Sequence, residues 1–474
     1  NRVAPRFLQV VPCSRNKDGF YYFAKKLKRS FDMELITKRP KGTQDVKPAD
    51  VYKWHTVEQI AAETAECYGF KEIRFPTFEN TKLFKRSVGD STDVVQKEMY
   101  GVTAKSSANG KDDDDFTLRP EGTAGAARAV LENGMLSDAL PQKVYYNISC
   151  FRHEKPQAGR LREFHQFGAE MYGSASPAAD AEMIAMVDAF LHRLGIKGVA
   201  LNINSIGCPT CRGEYHKALK SYFEGRKDEL CGTCRERLEK NPMRILDCKS
   251  PICQDIAKDA PVILDYLCDD CRSHFEKLQK NLTAMNIEFT VNPKIVRGLD
   301  YYTKTVFEFV TTSIGAQGTV CGGGRYDGLI EQLGGAPTPA LGFAMGIERL
   351  IMTMESQGCD FIEPKKCALY IAAMDEAALE KAIILTKTLR DDGIWAEYDL
   401  QGRGVKAQMK YADKLGADFT MVLGSNEIES GKAQLKNMKT SEKIEISLGE
   451  SFLDDFSNIS VANMFSGVLN DIDI

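Results

Sequence analysis

Two segments with a period of two, Lys143 to Arg152 and Glu163 to Glu170, flank a basic loop, Lys155 to Arg162, that carries Pro156 and Gly159. Successive strand residues point to opposite faces, so two alternating runs joined by one loop pair as an antiparallel hairpin. The spacing predicts a hairpin with a long basic tip and places Gln166, Gly168 and Glu170 on one face. Such a pair must bury a face, and 474 residues that are 43% hydrophobic are ample for the core this requires.

At about 150 residues per domain the length suggests two to four domains. No apolar run approaches the roughly 18 residues of a membrane helix. A net charge of -4 argues against a general polyanion-coating protein but leaves room for a local basic surface. Residues 1–32 are set apart as an extension, basic and aromatic, with Asp18 the one acid in the first 30 residues. It reads as a transit-like segment or, preferably, as sequence upstream of a natural start at Met33.

Residues 33–200 form a first sheet-bearing part. Asp50 is an expected N-cap, followed by Val51, Trp54, Val57, Ala61 and Ala65 at helical spacing and closed by Gly69. Phe70 to Phe75 reads as a strand ended by Pro76, and Lys105 to Asp115 as a solvated hairpin tip. Residues 201–291 carry eight cysteines among charged helical segments and read as an inserted domain. Residues 292–362 return to loop and strand, with Cys321 to Gly324 expected as a tight backbone turn and Gly342 to Met354 as a glycine-punctuated helix entry. Beyond a linker at Ile362 to Lys365, strands Ala368 to Ala373, Trp395 to Tyr398 and Phe419 to Leu423 alternate with helices Glu376 to Asp391 and Val405 to Leu415. That alternation predicts a small α/β domain over 366–474.

Several constellations have both a chemical and a plain reading. Arg152 at a strand end and Arg349 near a glycine-led helix start suit phosphate, although each is weak evidence alone. Arg119-Pro120-Glu121-Gly122-Thr123 offers a carboxylate and a hydroxyl for an ammonium group, or a strand exit with a helix cap at Thr123. Arg297-Gly298-Leu299-Asp300-Tyr301-Tyr302 is denser, because so many polar groups are costly to bury without partners. Gly322-Gly323-Gly324-Arg325-Tyr326-Asp327 lacks the spacing of a dinucleotide loop. Cys208-x2-Cys211, Cys231-x2-Cys234, Cys248-x4-Cys253 and Cys268-x2-Cys271 resemble zinc ligands for one or two sites, or else cysteines that merely pack. Cys13, Cys67, Cys150, Cys321, Cys359 and Cys367 are expected to be ordinary core thiols.

Taken together, these segments resemble the histidyl-tRNA synthetases, class II aminoacyl-tRNA synthetases, of the bacterial type with a cysteine-rich insertion. The resemblance runs from about Pro40 to about Lys436. Phe75-Pro76-Thr77-Phe78-Glu79 is similar to the first class motif, at a dimer interface. Phe151 to Glu154 with Arg162 to Gln166 is similar to the second, and Ala344 to Leu350 to the third. Arg297 to Tyr302 and Gly323 to Asp327 resemble the two histidine motifs, and Gly402 to Ala412 the anticodon-binding domain.

The resemblance implies an α+β fold: a six-stranded antiparallel sheet flanked by helices, an inserted helical domain and a C-terminal α/β anticodon-binding domain. It implies ATP-dependent activation of L-histidine and its transfer to tRNA(His), by a cytoplasmic homodimer with no membrane partner and with Mg2+ accompanying ATP. By the same resemblance Arg297, Arg152 and Arg349 act on the phosphates, and Gln166, Glu170 and Gly346 also meet ATP. Glu121, Gly122, Thr123 and Gln166 hold the amino end of histidine. Glu170 and Tyr302 read the imidazole, and Tyr301 and Tyr326 complete the pocket. Gln157 and Arg160 face the acceptor end of tRNA, while Arg403 and Lys410 serve the anticodon side.

Overall fold

The computed structural model describes residues 36–470 apart from 90, 91, 93, 104–114, 298 and 312–317. Met33, Cys13 and most of the hairpin tip expected at 105–115 therefore lie outside the described residues. The described chain divides into two units, 1–361 and 362–474, at the segment read as a linker.

The first unit is organised by an eight-stranded sheet. After helix α1 (Val51–Cys67) comes the edge strand β1 (Lys71–Glu72). A separate small sheet joins β2 (Phe78–Asn80), β3 (Gly101–Val102) and β4 (Phe116–Leu118), with helices α2 (Thr81–Val88) and α3 (Thr123–Glu132) beside it in sequence. The large sheet continues with β5 (Gln142–Phe151) and β6 (Glu163–Tyr172), then, past helix α4 (Pro177–Arg193), with β7 (Val199–Ser205). Its remaining strands are β8 (Thr290–Val291), β9 (Thr303–Thr311), β10 (Thr319–Arg325) and β11 (Ala340–Gly346). The order is β1-β5-β6-β11-β10-β9-β7-β8. Its six central strands pair antiparallel, as expected, and β1 and β8 add two-residue parallel edges.

Alternation gives the two faces of this sheet different work. Tyr145, Phe167, Ala169, Phe307, Phe343 and Met345 point into a core closed by Val57, Ala61 and Ala65 of α1 and by Met183, Ile184 and Phe190 of α4. The Phe167 ring lies 5.0 Å from Phe190 and 5.6 Å from Phe343. The opposite face carries Tyr146, Gln166, Gly168, Glu170, Gly342, Gly346, Gly322, Gly324 and Glu308, which the strand registers place side by side. Three of these, Gln166, Gly168 and Glu170, were expected to share a face.

Three local expectations are corrected. Cys321 to Gly324 is no turn: it is the middle of β10, paired on both sides. A Cβ on Gly323 would lie 2.4 Å from the Gly342 carbonyl oxygen and 2.5 Å from the Phe307 ring, so the glycines serve close approach rather than chain reversal. Asp50 precedes α1 without capping it. Its backbone is already helical, and its carboxylate faces Lys53 at 3.5 Å instead. The strand expected over 70–75 shrinks to Lys71–Glu72, followed by one further bond from Ile73 N to Tyr145 O at 2.9 Å.

The cysteine-bearing segment leaves the sheet after β7 and returns through β8. It holds α5 (Pro209–Glu224), α6 (Gly232–Lys240), α7 (Pro251–Ile256) and α8 (Asp269–Ala284). Phe275, Leu278 and Leu282 of α8 belong to the main core, whereas Tyr215, Leu219, Phe223, Leu238 and Ile256 form part of a second one. After β11, α9 (Ile347–Gln357) completes the unit.

The second unit has the strand order β13-β12-β14-β15-β16. These strands are β12 (Leu369–Ala373), β13 (Ala396–Tyr398), β14 (Phe419–Leu423), β15 (Lys432–Asn437) and β16 (Lys443–Ser447). The parallel pairs of β12 with β13 and β14 require crossovers. Helices α10 (Glu376–Asp391) and α11 (Val405–Leu415) supply them.

Candidate active site

The glycine-rich face of the large sheet is where the polar groups converge. Tyr146 on β5 stands opposite Gly168 on β6. A Cβ on Gly168 would fall 2.4 Å from the Tyr146 ring, and one on Gly122 would fall 2.3 Å from it. The ring therefore fills the space that two side chains would take, and it is fully buried. Its hydroxyl donates to Glu170 Oε1 at 2.8 Å, and the Tyr326 hydroxyl donates to Oε2. Gly342, the β11 neighbour of Glu170, again has no room for a side chain, since a Cβ would fall 1.7 Å from Oε2. Tyr301 packs 4.7 Å from Tyr302 and 5.5 Å from Tyr326, and all three rings are buried.

Burial pushes the Glu170 carboxyl up to about 8, against the pull of its two tyrosine hydroxyls. Burial likewise holds the Tyr146, Tyr301 and Tyr326 hydroxyls well above their usual range. A carboxyl raised in the folded state binds a proton that the unfolded chain has already lost. Stability is therefore lost as pH rises from the ordinary carboxylate range toward 8. Glu170→Gln should flatten this dependence, which for one proton is at most about 1.4 kcal/mol per pH unit. Urea unfolding at pH 5, 6.5 and 8 checks it, and parallel profiles for the two proteins would refute it.

Glu121 is buried and serves as the cap of α3: Oε2 accepts from Thr123 N and Oε1 from Ala124 N, both at 2.8 Å. The cap read at Thr123 thus falls to a carboxylate two residues earlier, because Gly122 at the N-cap position has no side chain. Burial raises the Glu121 carboxyl, and these two amides oppose the shift.

The arginines edge this pocket. Arg297 pairs with Glu308, its guanidinium lies 5.9 Å from the Tyr302 ring, and its buried Nε has no partner among the described residues. It occupies the space above Gly322, where a Cβ would fall 2.2 Å from Nη2. Arg152 donates through Nε to Pro120 O at 2.8 Å and stacks 5.1 Å over Phe164. Arg349 reaches Gly159 O at 3.3 Å and Thr319 O at 2.8 Å, so it ties the hairpin tip to α9. Gln166 accepts from Cys150 Sγ at 3.3 Å and stands opposite Gly346. A Cβ on Gly346 would meet nothing within 4 Å. Gln157 and Arg160 close the tip by mutual backbone bonds of 2.9 and 3.0 Å.

Tyr146, Glu308 and the Glu348 carboxylate, which accepts from His165 N at 3.0 Å, were not singled out from the sequence. The available signal for Tyr146 was the hairpin register, which sets an aromatic opposite a strand glycine.

In the second unit Arg403 is held by Asp399, with Nε to Oδ1 at 2.5 Å, and lies 4.1 Å over the Tyr411 ring, while Lys410 is exposed. In the insertion the eight cysteines gather into two groups of four that have the convergence needed to hold a metal. Among the others Cys150, Cys321 and Cys367 are buried and Cys359 is half-buried. Cys67, expected in the core, is exposed at the end of α1. Phe75 packs 5.4 Å from Tyr146, and Phe78 is exposed against Phe116.

Comparison with known proteins gives consistent matches. A family model described as the tRNA synthetase class II core domain (G, H, P, S and T) matches residues 104–357, and an anticodon binding domain model matches 366–452. The histidine–tRNA ligase of Acetivibrio thermocellus is 55% identical over 87% of this chain and 98% of its own length. That of Clostridioides difficile is 51% identical over 87% of this chain and 97% of its own. The crystal structure of apo S. aureus histidyl-tRNA synthetase aligns with a TM-score of 0.76 at 38% identity, covering 89% of this chain and all of the other.

Proposed function

The chain belongs to the histidine–tRNA ligase family, and on that premise we propose which of its residues carry each part of the reaction. The reaction is ATP-dependent activation of histidine followed by transfer to tRNA. The histidine carboxylate attacks the α-phosphorus of MgATP, pyrophosphate leaves, and the tRNA 3′-terminal hydroxyl then attacks the adenylate carbonyl, releasing AMP. Charge gathers on phosphate oxygens in the first step, so fixed cations are the catalysts needed.

Arg297 stands at the α-phosphate, and Arg152 and Arg349 grip the rest of the triphosphate. The observation that carries this reading is Arg297 itself: it lies beside the tyrosine pocket, with Nε unpartnered among the described residues, over a glycine that leaves it room. Glu308 orients the guanidinium. Glu121, Gly122, Thr123 and Gln166 receive the ammonium and carboxylate end of histidine. Glu170 and Tyr302 pair the two imidazole nitrogens, with Tyr301 and Tyr326 as walls; the cost of leaving these groups unpaired rejects other amino acids. Gln166, Glu170 and Gly346 also border the nucleotide. The insertion takes up zinc, and the unpaired thiols of the described residues suit a reducing cytoplasm. Among the described residues no helix is long and apolar enough to cross a membrane. ATP–pyrophosphate exchange that depends on histidine and on no other amino acid tests the assignment.

The anticodon-binding unit reads tRNA(His) through α11, and Gln157 and Arg160 meet the acceptor end. Lys410→Glu should weaken tRNA binding roughly tenfold at moderate salt, with a shallower salt dependence, and leave pyrophosphate exchange unchanged. Lys410 is a cleaner probe than Arg403, whose pairing with Asp399 makes any change there structural as well. Filter binding across a salt series checks it; an equal loss of exchange activity would refute the division of labour.

The segment from Phe75 to Glu79, with Phe78 half exposed, forms a two-fold dimer interface. Sedimentation should give a dimer at working concentrations, and a fully active monomer would overturn this.

A further inference from the structure

Three helices of the insertion start alike: Cys208, Cys231 and Cys268 are the N-cap residues of α5, α6 and α8, and Cys211, Cys234 and Cys271 lie in their first turns. Helix N-termini favour thiolates. The sulfurs of Cys208, Cys211, Cys268 and Cys271 all lie within 4.8 Å of one another, and so do those of Cys231, Cys234, Cys248 and Cys253. Cys208 and Cys211 are 3.5 Å apart, and Cys231 and Cys248 are 3.8 Å apart. A zinc tetrahedron with Zn–S bonds of about 2.3 Å has edges of about 3.8 Å, whereas a disulfide would need about 2.0 Å. Backbone amides also point at the sulfurs: Cys268 N at Cys211 Sγ (3.1 Å), Cys231 N at Cys253 Sγ (3.3 Å) and Ser250 N at Cys248 Sγ (3.4 Å). Such donors accompany thiolate ligands and stabilise their charge. Cysteines that merely packed would have no reason to converge in fours.

Both clusters are tied to the segment carrying Asp300 and Tyr302, one through the first turn of α5 and the other through the end of α6. Arg212, next to Cys211, donates through Nη1 to Tyr302 O at 2.9 Å. The chain just before Cys208 is stitched to the start of β9, which follows that segment directly, Ile206 N to Lys304 O at 2.7 Å and Lys304 N to Gly207 O at 2.9 Å. From the other cluster, α6 runs to Asn241, whose Nδ2 lies 3.4 Å from Asp300 Oδ1, and Arg244 stands 3.9 Å from the same oxygen.

We propose that the eight cysteines form two separate tetrathiolate zinc sites, Cys208/Cys211/Cys268/Cys271 and Cys231/Cys234/Cys248/Cys253, and that these sites brace the histidine-recognition loop from two sides. The bracing half rests on the reading of Tyr302 as a histidine contact; the metal half does not. Metal binding fixes the helix starts, and Arg212 acts as a positioning residue that transmits the constraint.

The test uses the full chain produced with zinc in the medium. Elemental analysis should give two zinc per chain, and Cys208→Ser and Cys231→Ser should each retain one. Should either variant fail to fold, titration of the unmodified protein with a mercurial, read by a zinc dye, should release two equivalents. Zero or one metal per chain, or iron in place of zinc, overturns the metal half. Arg212→Ala should keep both zincs and raise the histidine KM about tenfold, with the ATP KM unchanged and partial rescue by Arg212→Lys. An unchanged histidine KM overturns the bracing half. Two zinc per chain together with no histidine-dependent exchange would count against the functional reading and leave the metal sites standing.

Discussion

Arg297→Ala should slow single-turnover formation of histidyl-adenylate by roughly 10²–10³-fold, the usual cost of removing one transition-state donor. Histidine and ATP affinities should move far less, because the charge this arginine meets is greatest while the α-phosphate is under attack. The Glu308 pairing sharpens the expectation. Removing the arginine leaves a half-buried carboxylate beside the phosphates, so the loss should be larger than that of a neutral vacancy. Arg297→Ala with Glu308→Gln should accordingly recover part of the rate. Rapid-quench measurement of adenylate checks both, and a rate within a few-fold of the unmodified protein would remove Arg297 from the mechanism.

Gly322→Ala should cost nearly as much, although it deletes nothing. Its methyl group would sit 2.2 Å from Arg297 Nη2 and 2.6 Å from Cζ, so the guanidinium has to move. Gly322 lies in paired extended backbone on β10, where alanine is tolerated, so the fold should persist with a similar melting temperature. The adenylation rate should fall by about 10²-fold. Combining Gly322→Ala with Arg297→Ala should add little, since both remove the same cation from the same place. Fully additive losses would show that Gly322 acts on something else.

Much of this molecule was legible because period and motif agreed. The hairpin of β5 and β6, and β12 to β14 with α10 and α11 in the second unit, follow from apolar spacing bounded by glycine and proline, so local pattern and final contacts coincide, whereas the antiparallel pair β15 and β16 was not read. Cys321 to Gly324 misled for a physical reason. Glycine runs favour turns in isolation, and only the neighbours Arg297, Phe307 and Tyr302, distant in sequence, explain why side chains are excluded from a central strand. Tyr146 and Glu308 escaped notice for the same reason, since Tyr146 meets Glu170 only across the sheet and Glu308 meets Arg297 only once the chain between them has folded back. The cysteine spacing pointed to a metal but not to the number of sites. Which pair joins which is a property of helix packing, and sequence order would equally have allowed neighbouring pairs to combine.

The insertion departs from β7 and returns through β8, and these two strands lie side by side with Asn202 opposite Thr290. Both ends of the excursion are thus clamped at neighbouring points on a rigid rim. The entropy of closing such an excursion grows only logarithmically with its length. Loops of the module can therefore change length at little entropic cost, whereas α8, which lends Phe275, Leu278 and Leu282 to the main core, cannot be removed without opening that core. The same geometry sets a limit for the engineer: the two strands run parallel, so a shorter connector from Ser205 to Thr290 must run back about 10 Å along the sheet as well as across one strand spacing of about 4.8 Å.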